Sequence, residues 1–117
     1  MILSEIQFDE AVPIEGYGPG FFRVGGQVLQ GPSVIWKGGA ASWGGYDDTE
    51  TLLNLKSEVD VIFVGTGEKI AHVPGPLRRA LEEAGIGVEP MASPSACRTY
   101  NVLLSEGRRV AAALLPL

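Results

Sequence analysis

The stretch VDVIFVGTGEKI, running from Val59 to Ile70, decides the fold. An apolar, β-branched run from Val59 to Val64 ends abruptly in Gly65-Thr66-Gly67. Only Asp60 interrupts the run, which predicts a central strand covered on both faces. A buried strand feeding a glycine turn is also a common seat for a phosphate group, so the two glycines have two readings. A dinucleotide fingerprint requires G-x-G-x-x-G, and here Ile70 stands where the third glycine belongs. The P-loop pattern G-x-x-x-x-G-K-S/T is absent as well. The next helix start, near Gly75, lies about eight residues beyond Gly67, past His72 and Pro74. Without an adjacent helix N-terminus, much of the attraction for phosphate is lost, and Glu68 adds a negative charge. The plain reading is that the glycines let the backbone leave the sheet at a sharp angle. Yet the turn closes a parallel-type central strand at its carboxyl end, where ligand crevices form in open α/β sheets. A small-molecule or peptide groove lined by Thr66, Trp43 and His72 is the competing reading.

Downstream, Gly75-Pro76 opens a helix, because proline at a first helical position loses no hydrogen bond. Leu77, Ala80, Leu81 and Ala84 then make one apolar stripe, and Gly85 ends it. Ile86 to Met91 predicts a short strand. Ser93-Pro94-Ser95 starts another helix, with Ala96, Cys97, Tyr100, Leu103 and Leu104 toward its buried side, and Gly107 closes it. Arg108 to Leu115 predicts a last strand. The second half is thus β-α-β-α-β, with right-handed crossovers expected between parallel neighbours.

Upstream, Phe21–Val24 and Gln27–Gln30 flank Gly25-Gly26 and predict a hairpin. Ser33–Trp36 predicts a third strand, and the residues around Ile6, Phe8 and Ile14 a further one. Residues 37–48, KGGAASWGGYDD, predict a loop, since four glycines in twelve residues disfavour regular structure. Trp43 and Tyr46 sit within it. Asp47-Asp48-Thr49-Glu50 is helix-start chemistry for a short helix through Leu52, Leu53 and Leu55. The expected fold is a single α/β domain over 1–117, with a mixed sheet, an N-terminal β-meander and a C-terminal β-α-β-α-β unit. The meander extends that sheet or covers one of its faces.

The 117 residues suffice for one domain, and 45% hydrophobic with 20% charged residues is a globular composition. A net charge of −5 is the wrong balance for a phosphate backbone and argues against nucleic acid. Residues 61–117 carry five acids and six bases, including Arg78, Arg79 and Arg98, which reads as a solvated helix face. The single cysteine excludes an internal disulfide and fits a reducing compartment. The N-terminal residues carry acids where a signal peptide carries bases. The longest apolar run, Val110–Leu117, is eight residues against the roughly twenty that a membrane-spanning helix needs. A cytoplasmic protein without direct membrane insertion is expected.

Cys97, beside Arg98 in a first helical turn, has two of the features that activate a thiol, and His72 is the only histidine available as its base. The ordinary reading of Cys97 is a small buried residue. One cysteine and one histidine make no zinc site, so no metal and no cofactor is expected. No catalytic set assembles, and the reading leans away from an enzyme. Asn101 is a poor mid-helix residue and predicts a buried partner, the backbone of the 65–67 turn being the nearest expectation.

VDVIFVGTGEKI, then LRRALEEAGIGVEPM (77–91) and SACRTYNVLLSEGRRVAAALLP (95–116), resemble a family of small stand-alone α/β domains of unassigned biochemical function. Its members include mitochondrial complex I assembly factor 3 and an adipogenesis-associated animal protein. The resemblance covers about Ile14 to Pro116 and is most specific at Gly65-Thr66-Gly67, at Ala96–Asn101 and at Arg108–Ala113. It implies a three-layer α/β fold with a mixed sheet and a hairpin region, in a family for which no catalytic activity or cofactor is established. It also implies that a bacterial member assists biogenesis of a membrane respiratory complex through protein contacts, without the targeting extension of mitochondrial members.

Two functional classes stay open. The first is a non-catalytic interaction or assembly protein that binds a protein partner through the 37–48 loop, the 65–72 turn and the region of Arg78, Arg79 and Arg98. The second is a small-molecule or anion binder, or an enzyme, with its site at Gly65-Thr66-Gly67. Trp43, Tyr46, Gly65, Thr66, Gly67, His72, Arg98 and Asn101 are the candidate contact residues, with Cys97 as a candidate reactive thiol.

Overall fold

The computed structural model describes residues 5–117. Val61–Thr66 is the strand the opening stretch predicts, here β7. It begins one residue after Asp60, whose carboxylate stays in solvent and faces Arg109 Nε at 3.5 Å. The remaining strands are β1 (Glu5–Gln7), β2 (Ile14–Gly18), β3 (Phe21–Val24), β4 (Gln27–Gln30), β5 (Ser33–Trp36), β6 (Gly39–Ser42), β8 (Gly87–Met91) and β9 (Val110–Leu115). The helices are α1 (Thr49–Leu53), α2 (Gly75–Glu83) and α3 (Ser93–Ser105).

Six strands form one mixed sheet in the order β1-β6-β5-β9-β7-β8. β7 runs parallel to both neighbours, with Gly65 opposite Met91 on one side and Leu114 on the other. β5 joins β9 antiparallel, and β6 and β1 continue the antiparallel half. β2, β3 and β4 form a separate three-stranded antiparallel sheet. The meander therefore does both things open to it: β5 and β6 extend the main sheet, and β2–β4 cover part of one face.

Strand alternation sorts the core into two sides. Val34, Ile62, Val64, Ala111 and Ala113 point to the side packed by α1 and α2. Ile35, Phe63, Ala112 and Leu114 point to the side packed by α3 and the small sheet. The result is three layers around a mixed sheet. Ala112 on central β9 shares its side of the core with the fully buried Tyr100 of α3.

The 37–48 segment departs from expectation. Gly39–Ser42 is strand β6, and Gly45–Asp47 is a 3₁₀ turn leading into α1. The glycines do not break the sheet here. A Cβ on Gly39 would collide with the carbonyl oxygen of Ile6, so glycine is what lets β1 lie against β6. Asp48 caps α1: its carboxylate accepts from Thr51 N at 3.1 Å, Thr51 Oγ1 at 2.6 Å and Gly44 N at 2.8 Å. Burial pushes this carboxyl up, and the three hydrogen bonds outweigh it, holding it below its ordinary value.

Candidate functional site

β7 delivers the chain into α2 on one side of the sheet, and β8 delivers it into α3 on the other. The carboxyl ends of β7 and β8 are thus a topological switch point, the geometry in which α/β sheets open a crevice. Here the crevice is braced by side chains. Ser93 Oγ, at the start of α3, accepts from Gly67 N at 2.9 Å and donates to Leu115 O at 2.6 Å, while Ser93 N donates to Gly67 O at 2.7 Å. Thr66 Oγ1 donates to Lys69 O at 2.7 Å and accepts from Ala71 N at 3.0 Å.

Each glycine has a separate physical reason. A Cβ on Gly65 would lie 2.7 Å from Ser93 Oγ and 2.9 Å from Ser93 Cα, so the start of α3 packs directly on the strand. Gly67 adopts φ +99°, a left-handed conformation that other residues rarely take. The turn thereby carries Ile70 outward, where it is 67% exposed. Ile70, Ala71, His72 and Pro90 line a hollow of about 290 Å³ at this end of the sheet.

The candidate residues fall into three places. Gly65, Thr66, Gly67 and His72 belong to the switch-point turn. Cys97, Arg98 and Asn101 line a second hollow of about 220 Å³, with Tyr17 and Pro94, between α3 and the small sheet. Trp43 and Tyr46 form an edge-to-face pair with ring centroids 6.1 Å apart, beside α1. Among the described residues, none of these hollows joins Trp43 to Thr66 and His72. Trp43 is only 2% exposed and donates from Nε1 to Asp48 O at 3.0 Å, so its main physical job is to fill the core. Burial raises the Tyr46 phenol, which is half-buried against it.

Asn101 finds a different partner from the one expected. Its Oδ1 accepts from Ile14 N at 2.8 Å and its Nδ2 donates to Ile14 O at 2.9 Å, tying α3 to β2 and not to the glycine turn. Ser93 supplies the lock to that turn. As a helix-opening serine before a proline it carries no mark of the role; only its near-complete burial shows it. Cys97 is buried, and desolvation pushes its thiol up to about 12 against a slight opposing effect of a backbone hydrogen bond. At neutral pH it is therefore a protonated thiol inside the core. Arg78 and Arg79 on α2 and Arg98 on α3 sit on helices packed to opposite sides of the sheet. They form no shared basic face, and Arg78 is occupied with Glu82 at 3.6 Å and the Val88 carbonyl at 3.4 Å.

This architecture and sequence occur in known proteins. A Rhodobacter capsulatus protein described as uncharacterized is 52% identical over 117 residues, which is all of this chain and 94% of that one. The mouse NADH dehydrogenase (ubiquinone) 1 alpha subcomplex assembly factor 3 is 33% identical over 121 residues, matching 97% of this chain but 65% of its own length. A Bartonella henselae crystal structure, described as an outer membrane protein, is similar with a TM-score of 0.82 at 32% identity, covering 93% of this chain and 98% of that one. Residues 14–115 match the family described as protein of unknown function DUF498/DUF598, and the chain belongs to that family, which includes respiratory complex I assembly factors.

Proposed function

We propose that this protein is a non-catalytic interaction factor that assists assembly of a membrane-bound respiratory complex from the cytoplasmic side, with the switch-point turn as its contact surface. The observation that carries this reading is Ile70, two-thirds exposed on a turn whose polar groups are pinned internally by Thr66 and Ser93. A large apolar side chain presented from a backbone braced in this way is preorganised for association, because little backbone ordering entropy remains to be lost. Pro90 and Ala71 extend the apolar surface around it. The mouse relative's name supports the assembly role. Among the described residues no helix is long and apolar enough to cross a membrane, and the acidic balance and single buried thiol fit a cytoplasmic location that does not engage nucleic acid.

The test places a photo-crosslinking amino acid at position 70 and, as a control, at exposed Val102 on α3, in the native host. The expected result is a position-70 adduct containing subunits of a membrane-bound respiratory complex, lost in native pull-downs of Ile70→Glu. Identical adducts from both positions, or an unchanged captured set for Ile70→Glu protein with wild-type melting behaviour, would remove this surface from the function.

A further inference from the structure

The largest cavity described, about 420 Å³, opens far from Ile70, on the α1 side of the antiparallel half of the main sheet. Val34, Trp36 and Ala41 of β5 and β6 make its floor, Leu55 a wall, and Glu5 and Glu58 its charged rim; among the described residues no basic side chain lines it. An adjoining hollow of about 270 Å³ shares Trp36 and Glu58 and adds Asp9. Lys37 also borders that second hollow, but among the described residues no ion pair within 4 Å joins it to Glu58 or Asp9. The acid and the ring converge: the point a Gly38 Cβ would occupy is 2.8 Å from Trp36 Nε1 and 3.3 Å from Glu58 Oε1. β1, which supplies Glu5, ends the sheet, and its outer side carries no further strand among the described residues.

We propose that this cavity receives a lysine or arginine side chain from an extended segment of a partner polypeptide laid along β1. Glu5 and Glu58 attract the cation, the indole of Trp36 adds a cation–π contact, and Val34, Ala41 and Leu55 receive the aliphatic stem. The cavity exceeds one side chain, leaving room for flanking residues. The free side of β1 is the reason to commit to a polypeptide and not a free amine: an edge strand offers backbone pairing, and an adjoining pocket reads a side chain. β1 and β8 are opposite edges of the sheet, so this surface is independent of the one at Ile70.

The test is an NMR titration of isotope-labelled protein with Nα-acetyl-lysine N-methylamide. Its uncharged analogue lacking the ammonium group, Nα-acetyl-norleucine N-methylamide, and butylammonium serve as comparison arms. The expected result is a saturable shift of the Trp36 indole N–H and of the Thr51 and Asn54 amides. Binding is expected to be at least about fivefold weaker for norleucine, and about fivefold weaker to Glu58→Gln protein. Glu58 is exposed, so this variant should keep the wild-type melting temperature, and Glu5→Gln provides a second variant. Equal affinity for lysine and norleucine, equal affinity of wild-type and both variants, or shifts that bypass Trp36 would each overturn the proposal. Butylammonium binding as tightly as the capped lysine would also overturn it, by assigning the cavity to free amines.

Discussion

Replacing Gly65 by alanine should destabilise this protein far more than one added methyl group suggests. The new Cβ would stand 2.7 Å from Ser93 Oγ, 2.8 Å from Leu114 Cδ2 and 2.9 Å from Ser93 Cα. Comfortable carbon contacts begin near 3.5 Å, so each neighbour must retreat by more than half an ångström. None retreats freely. Leu114 is fully buried, the Ser93 Cα is backbone at the start of α3, and the Ser93 hydroxyl is already bonded to Gly67 N and Leu115 O. Overpacking of this kind costs about 1–3 kcal/mol. Displacing the hydroxyl leaves a buried amide or carbonyl without its partner, for a further ~1–3 kcal/mol. The sum, about 2–6 kcal/mol, is a large part of the roughly 6–18 kcal/mol expected of a chain this size. Urea unfolding followed by tryptophan fluorescence should show the midpoint falling by about 1–3 M at an unchanged slope. Gly16→Ala is the control, since Gly16 has nothing within 4 Å of its would-be Cβ and no positive φ. It should stay within about 0.5 kcal/mol of wild type. If Gly65→Ala unfolds like Gly16→Ala, the close approach of α3 to β7 is not what requires glycine, and the account of the turn fails.

Two further outcomes follow from the same structure. Asn101→Ala removes both hydrogen bonds to the buried Ile14 backbone and should cost about 1–3 kcal/mol, with amide exchange accelerated in β2 ahead of β7; uniform acceleration of both strands would contradict a local latch. Cys97 has a folded-state thiol raised from 9.0 to about 12, so the unfolded chain loses this proton first as the solution is made alkaline. Its contribution is fully present below about pH 9, declines as pH rises and is gone above about 12, and burial of the Tyr100 phenol acts in the same direction at higher pH. Melting temperatures from pH 8 to 11 should fall less steeply in Cys97→Ala than in wild type, and parallel curves would refute the assignment.

The sequence is legible where structure is decided locally. The Gly25-Gly26 hairpin, the proline-led start of α2 and the β-branched run of β7 all carry their cause within a few residues. It is far less legible where the cause is distant. β6 hides behind two glycines, of which Gly39 makes room for the Ile6 carbonyl from β1. Trp43 sits among glycines in the sequence yet is driven inside by packing against elements far along the chain. Asn101 announces a partner without naming it, because Ile14 lies 87 residues away. The sequence singles out candidate residues one by one but not how they group: the sheet order puts β6 three places from β7 and so separates Trp43 from Thr66 and His72.

The pairing of Asn101 with Ile14 has a consequence for how the molecule behaves in a crowd. A carboxamide offers one donor and one acceptor at nearly the spacing of a peptide group, so β2 meets on α3 a one-residue imitation of a neighbouring strand. Edge backbone that would otherwise template the addition of another chain is already satisfied at that point. Because the imitation is mounted on a helix packed into the core, it does not fray with the strand it protects. Polymerisation through this border of the small sheet first requires the helix to let go.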